Sequence, residues 1–189
     1  MASGMSRRFG SNKLMIKDIN NKPLLENILE RLSNYVFDQD EKILIYRDEE
    51  IKSLGDKYDF KTVLNNEYLQ GKSASIKLGV NNSNLDSLGY MFFVGDQPMI
   101  SYETIKAIRD RGVLKDKIIV PIYYENEIKK IGNPLYFPKR FAKDLLKLDK
   151  DDGGRTLIDY YEDEVIYLKI GSPIEFFDID RKEDLNKFK

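Results

Sequence analysis

The segment that most restricts the possible folds is the run GYMFFV at 89–94, the most apolar stretch of the chain, which stops abruptly at Gly95-Asp96-Gln97-Pro98. A continuous apolar run of this length reads as a central strand covered on both faces. Such a strand needs helices above and below it, and the flanking sequence supplies them. Residues 23–32 place Leu24, Leu25, Ile28, Leu29 and Leu32 on one helical face, with Pro23 suited to the first turn. Residues 73–80, 102–111, 141–148 and 156–161 also read as helices, the second capped by Ser101 and followed by Gly112. A short helix is expected at 48–54 and a terminal one at 182–187.

Strands are expected at 42–46, 60–64, 117–122, 165–168 and 176–179, with Pro121 at a strand end or a bulge. Strands alternating with helices imply βαβ units and a largely parallel, three-layer αβα sheet. In such a fold the site lies at the carboxyl ends of the strands. The length of 189 residues suits one domain spanning the whole chain.

Composition then narrows the chemistry. The chain has no histidine, cysteine or tryptophan. That excludes a thiol nucleophile, a serine–histidine pair, an imidazole base and a Cys/His zinc site. Carboxylates, lysine, arginine, hydroxyls and backbone amides remain, and these suit Mg²⁺ and anionic, phosphate-bearing substrates. With 31 basic and 32 acidic residues the charge is balanced, which argues against a nucleic-acid or membrane-surface binder. No apolar run approaches the ~18 residues of a membrane span, and no apolar leader is visible. A cytoplasmic location is the expectation, consistent with the absence of cysteine.

Three segments carry candidate chemistry. Residues 3–13 hold Gly4, Gly10, Arg7, Arg8 and Lys13. Glycines let backbone amides approach an anion and cations hold a polyphosphate, but the spacing is neither a Walker A loop nor GxGxxG, and a solvated terminus is the plain alternative. Asp96 ends the central strand, where it suits Mg²⁺ held against phosphate oxygens, or equally a turn or cap. Asp178-Ile179-Asp180 ends a later strand before a helix, so Asp180 also reads as an N-cap. The acidic run at 149–154 fails as a calcium loop, because Gly153 and Tyr160 stand where ligands are required.

Taken together, Ala2-Ser3-Gly4-x-Ser6-x-Arg8-Phe9-Gly10-x-x-Lys13-Leu14 resembles the signature loop of the NTP-transferase superfamily that includes the molybdenum cofactor nucleotidylyltransferases. The resemblance implies a Rossmann-like, GT-A-like nucleotide-binding domain, with Ala2, Ser3, Gly4, Ser6, Arg8 and Lys13 around the triphosphate. It makes Arg8, Lys13 and Asp96 the catalytic set. Gly95-Asp96-Gln97-Pro98 resembles the family's GDQP motif, and 178–185 its "DIDTPEDL" segment. By that resemblance Asp96 takes Mg²⁺ and Asp180 lies near the same ion. The string at 71–76, with Gly71, Ser73 and Ser75, resembles the "GMSSSL" turn of the cytidylyltransferase branch, although Lys72 and Ala74 depart from it. Residues 132–138 resemble the family's GNPxxF segment, which puts Asn133 and Pro134 on the acceptor side. Gly153-Gly154-Arg155 partly resembles "GDxGAR", with Arg155 supporting the acceptor or serving as a plain surface arginine.

The resemblance implies CTP and molybdenum-bound molybdopterin as substrates, giving molybdopterin cytosine dinucleotide and pyrophosphate. A molybdenum hydroxylase or its maturation chaperone is the implied partner. A related nucleotidyltransferase using GTP or another phosphorylated acceptor is the nearest alternative, and a catalytically silent regulatory or scaffold homologue is the other. In the family the signature loop follows an apolar first strand at the centre of the sheet. Here it begins at Met1, so that strand is expected to be absent from this chain, with a start further upstream as the favoured explanation.

Overall fold

The computed structural model of the chain describes residues 12–18, 20–35, 40–180 and 184–185. Lys13–Met15 forms a 3₁₀ turn and leads to helix α1 (Leu24–Tyr35), whose Leu24, Leu25, Ile28, Leu29 and Leu32 are buried as their spacing requires. Strand β1 (Ile43–Tyr46), helix α2 (Glu49–Lys57) and strand β2 (Lys61–Leu64) form a parallel βαβ unit, with Ile43 opposite Lys61 and Tyr46 opposite Leu64. Helix α3 (Lys72–Asn81) follows, then strand β3 (Gly89–Phe92) and helix α4 (Tyr102–Lys115). Strands β4 (Ile118–Glu125), β5 (Ile128–Ile131) and β6 (Leu135–Pro138) come next. Helices α5 (Ala142–Lys147) and α6 (Gly154–Tyr160) and strand β7 (Val165–Lys169) complete the core.

Alternation along the strands builds the layers. Ile118, Val120 and Ile122 of β4 pack with Leu135 and Phe137 of β6 toward α3, α5 and α6. Ile119 and Tyr136, one residue out of phase, pack with Ile108 of α4 on the other face. Helix α1 joins that second face, where its leucines share a core with Ile105 of α4 and Leu44 and Tyr46 of β1. The expected αβα sandwich is therefore present.

The pairings are mixed where largely parallel ones were expected. β1–β2 and β4–β7 are parallel, whereas β6 runs antiparallel to both β3 and β4, and β5 antiparallel to β4. The β4–β5 hairpin, not anticipated from sequence, turns on Asn126 and Glu127, both at positive φ (49° and 65°), as a two-residue hairpin loop requires. Pro121 sits inside β4. It lies where β4's antiparallel partner changes from β6 (Ile119 opposite Tyr136) to β5 (Ile122 opposite Ile131), and its carbonyl accepts from Gly132 N at 2.9 Å. A residue without an N–H fits that junction.

Two further expectations are corrected. Gly112 lies within α4, which runs on to Lys115 and ends at Asp116 in the left-handed region (φ 48°). The glycine is there for packing, because a Cβ would fall 2.2 Å from the Tyr136 ring. Residues 176–179 form no strand; Pro173–Phe176 is a 3₁₀ turn, followed by an extended segment held by the end of β3. Of the terminal helix expected at 182–187, only Asp184 and Leu185 are among the described residues.

Among the described residues β1–β2 and β3–β6–β4–β5, with β7 on β4, are separate sheets. A cavity of about 540 Å³ lies between them, walled by residues 42–45 and 88–95 together with apolar side chains of α1 and α4. Among the described residues no helix is long and apolar enough to cross a membrane.

Candidate active site

The site is built at the carboxyl ends of β1, β2 and β3, beginning with Lys13. The side chain of Asn12 accepts from Leu14 N at 3.2 Å and donates to Asp48 Oδ2 at 2.9 Å, just beyond β1. Leu14 is buried against Gly95, where even a Cβ would come within 3.2 Å of it. These contacts fix the 3₁₀ turn against the end of the β3 segment. The Lys13 ammonium donates to Asp96 Oδ2 at 3.0 Å and to Asp180 Oδ1 at 2.8 Å. Its side chain is 11% exposed, against 33% for Asp96 and 61% for Asp180, so the cation lies beneath two carboxylates that face solvent. Burial pulls the Lys13 pKa down, but the hydrogen bond to Asp180 and the charge and hydrogen bond of Asp96 outweigh it and leave it raised.

The Gly-Asp-Gln-Pro turn also holds the segment that carries Asp180. Ile179 N donates to the Asp96 carbonyl at 3.1 Å. The Gln97 amide donates to Asp178 Oδ1 at 2.9 Å and to the Phe176 carbonyl at 3.2 Å. Asp180 N donates to Asp184 Oδ2 at 3.0 Å, which ties down the far side of the turn. Burial, and then the charge of Asp96, push the Asp178 carboxyl above the usual range. Its role in the site is to anchor the segment through Gln97.

Asp96 and Asp180 fit a divalent cation. Their oxygens converge on one positively charged centre, with the ammonium as a stand-in for the ion. Mg²⁺ keeps several waters and commonly takes one or two carboxylates, with substrate phosphates completing its shell. Among the described residues no group of three or more potential metal ligands forms.

The second part of the site is the turn into α3. Gly71 adopts φ 92° after the 3₁₀ turn Tyr68–Gln70, and a Cβ there would stand 2.5 Å from the Lys150 carbonyl oxygen. That oxygen accepts from Ser73 N at 3.1 Å. Ser73 and Ser75 are both buried. The Ser75 hydroxyl accepts from Asn65 Nδ2 at 3.1 Å and lines the inter-sheet cavity. The two serines thus form the floor of this region, beneath its surface. Asn65 N in turn donates to the Tyr46 carbonyl at 2.7 Å, which joins the ends of β1 and β2 to α3.

The acceptor-side expectations are placed separately. Asn133 and Pro134, at the entry to β6, line a small cleft together with Phe93, Val94, Gln97 and Ile100. Arg155 is exposed and donates to the Ile131 carbonyl at 2.8 Å, two residues before Asn133. Thus Lys13, Asp96 and Asp180 are in direct contact, Asn133 and Pro134 adjoin Gln97, and Arg155 serves the end of β5. Ala2, Ser3, Gly4, Ser6, Arg8 and Gly10 lie outside the described residues.

Sequence reasoning missed Arg47 and Asn65, and named Gln97 within its motif without its contacts to Phe176 and Asp178. Arg47 follows β1, forms a paired contact with Asp48 (2.9 and 3.0 Å) and lies 5.1 Å from the centre of the Tyr68 ring. For Arg47 and Asn65 the available signal was position, since each is the first residue after a strand end.

A three-layer α/β fold that gathers a lysine and two aspartates at its strand ends places its charged cluster where such sheets bind ligands. The chain belongs to the MobA-like NTP transferase domain family, which matches residues 1–165. No curated protein matches it in sequence. Among solved structures it is similar to Rv0371c from Mycobacterium tuberculosis H37Rv, with a TM-score of 0.80, 22% identity and coverage of 99% of this chain and 94% of that one. A manganese complex of Rv0371c matches with a TM-score of 0.76 and 19% identity over 93% and 90%. Molybdopterin-guanine dinucleotide biosynthesis protein A from Archaeoglobus fulgidus gives 0.67 and 20% over 98% and 93%. The 4-diphosphocytidyl-2C-methyl-D-erythritol synthase from Anaerococcus prevotii DSM 20548 gives 0.72 and 18% over 90% and 86%. At these identities the likeness is one of fold.

Proposed function

We propose that this nucleotidyltransferase-family domain moves CMP from CTP to the phosphate of molybdenum-bound molybdopterin. The products would be molybdopterin cytosine dinucleotide and pyrophosphate. The observation that carries the reading is the meeting of Lys13, Asp96 and Asp180 at the strand ends, where a triphosphate and its cation would be held together. A phosphate oxygen of the acceptor attacks the α-phosphorus of CTP; one P–O bond forms, and the bond to the bridging oxygen of the leaving pyrophosphate breaks. The acceptor supplies the nucleophile, so the protein's task is alignment and charge stabilisation. Lys13, with Ala2, Ser3, Gly4, Ser6 and Arg8, would cradle the triphosphate.

Asp96 and Asp180 would hold a divalent cation, Mg²⁺ in this reading, which screens the charge that develops on the phosphates. The manganese bound to Rv0371c supports divalent-cation use. The turn at Gly71, floored by Ser73 and Ser75, would receive the base, and Asn133, Pro134 and Arg155 would border the acceptor.

Cytidine selectivity rests on the 71–76 string. Its departures at Lys72 and Ala74, and the likeness to a protein of molybdopterin-guanine dinucleotide biosynthesis, keep GTP as the second reading. The test is pyrophosphate release from each nucleoside triphosphate with molybdenum-bound molybdopterin. Turnover with CTP, abolished in a folded Asp96→Asn variant, is expected. Wild-type turnover in that variant would remove the metal assignment, and turnover with GTP alone would reverse the base.

A further inference from the structure

The two carboxylate oxygens that a divalent cation would use are already engaged by a cation of the chain itself. Lys13 Nζ lies 3.0 Å from Asp96 Oδ2 and 2.8 Å from Asp180 Oδ1. A magnesium or manganese ion bound to the same two oxygens at ~2.1 Å would lie within ~5 Å of that ammonium, and the two positive charges would repel. The two cations would therefore compete for the same pair of oxygens.

We propose that Lys13 is a built-in counter-ion that a divalent cation must displace, so that cation binding releases the ammonium toward an incoming anion. The inference rests on the assignment of Asp96 and Asp180 as cation ligands and adds what Lys13 does before and after the cation arrives. Three features of the molecule support it. The two aspartates come from segments far apart in sequence, fixed side by side through Ile179 N and the Asp96 carbonyl, so their charges oppose each other unless a cation lies between them. The Lys13 stem is buried while both carboxylates open to solvent, so a hydrated ion can approach from the outer side. The adjoining turn at 12–15 is anchored by Asn12 and Leu14, which lets the side chain move while the backbone stays.

Displacement makes the two ligands interdependent. The released ammonium lacks its carboxylate partners, and a phosphate group beside the ion replaces them. Cation and polyphosphate therefore favour each other's binding, as linkage requires of any such pair. The anion-free protein should hold the ion weakly. Such an exchange makes a lone cation a poor occupant and an ion–polyphosphate pair a good one.

The test is manganese binding without nucleotide, read from the spectroscopic signal of free Mn²⁺. Lys13→Met should bind Mn²⁺ about tenfold more tightly than the wild type, a difference of about 1.4 kcal/mol. Asp96→Asn should abolish binding in both backgrounds. The wild-type protein gives a second readout that needs no variant: acylation of the Lys13 amine, followed by mass spectrometry, should rise with Mn²⁺ at the midpoint of binding. Asp96-dependent binding that Lys13→Met leaves unchanged or weaker, with constant Lys13 acylation, would overturn the counter-ion role and leave the cation site standing. Binding that ignores Asp96 would remove both readings.

Discussion

Replacing Gly71 with alanine tests the turn proposed to receive the base. Gly71 holds φ 92° and ψ −161°, a region essentially confined to glycine, where any other residue costs about 1–3 kcal/mol. The added methyl would also stand 2.5 Å from the Lys150 carbonyl oxygen, 2.6 Å from its carbon and 2.6 Å from Asp151 Oδ1. Backbone cannot swing aside as a flexible side chain can. The 150–151 segment must shift, and the Ser73 N to Lys150 O bond goes with it, a further loss of about 1 kcal/mol. The smaller entropy of alanine in the unfolded chain returns only ~0.4–1 kcal/mol against these losses.

The net expectation for Gly71→Ala is a loss of about 3 kcal/mol, seen as a fall of roughly 6–12 °C in melting temperature for a chain of this size. Gly153→Ala is the matched control. Gly153 has φ −120°, and a Cβ there meets nothing within 4 Å, so its melting temperature should stay within about 2 °C of wild type. Circular-dichroism melts of the three proteins decide the matter. If Gly71→Ala melts with Gly153→Ala, the steric argument is refuted, and with it the claim that this turn needs glycine.

Two further expectations concern groups outside the site. Glu26 of α1 accepts from Lys57 Nζ at 2.6 Å and from the Tyr58 hydroxyl at 2.8 Å; burial pushes its carboxyl up, yet these two partners hold it below its usual value. A lowered folded-state pKa means stability present above the unfolded value of 4.5 and lost as pH falls through the folded one. Glu26→Gln should therefore cost about 1–2 kcal/mol at pH 7 in urea denaturation, with the deficit shrinking as the pH drops below 4.5; a constant deficit would sink the linkage. Phe137 is fully buried between β6 and the helices α3 and α5, so Phe137→Ala should cost about 3–5 kcal/mol, and a loss below about 1 kcal/mol in the same assay would contradict its place in the core.

The legible parts of the fold were those governed by period and by capping. The α1 leucines, the Ser101 cap (which accepts from Thr104 N at 3.1 Å) and the core strands all follow from local pattern. What escaped was decided by partners far along the chain. Gly112 reads locally as a helix stop, but the ring of Tyr136 requires it inside the helix. Phe176 and Phe177 read as strand, yet Phe176 stacks on Tyr123 with ring centres 4.9 Å apart and its segment ends in a turn. The β5 hairpin escaped because Asn126 and Glu127 carry the positive φ that an Asn-Gly pair would have advertised. For the site, the Asp96 motif was plain at its strand end. The contact of Lys13 with both aspartates was not, because spacing in sequence says nothing of which charges share a point in space.

That contact joins the two extremes of the described chain: Lys13 and Asp180 are 167 positions apart. A contact of such separation forms late, because closing a long loop is costly until the intervening structure is in place. During synthesis, at roughly 5–20 residues per second, Lys13 leaves the ribosome well before Asp180 is made. The growing polypeptide can therefore assemble its sheet and helices before Lys13 meets its second carboxylate. A chain ending shortly before residue 178 would keep β4 and its partners but lack one of the two carboxylates that Lys13 contacts.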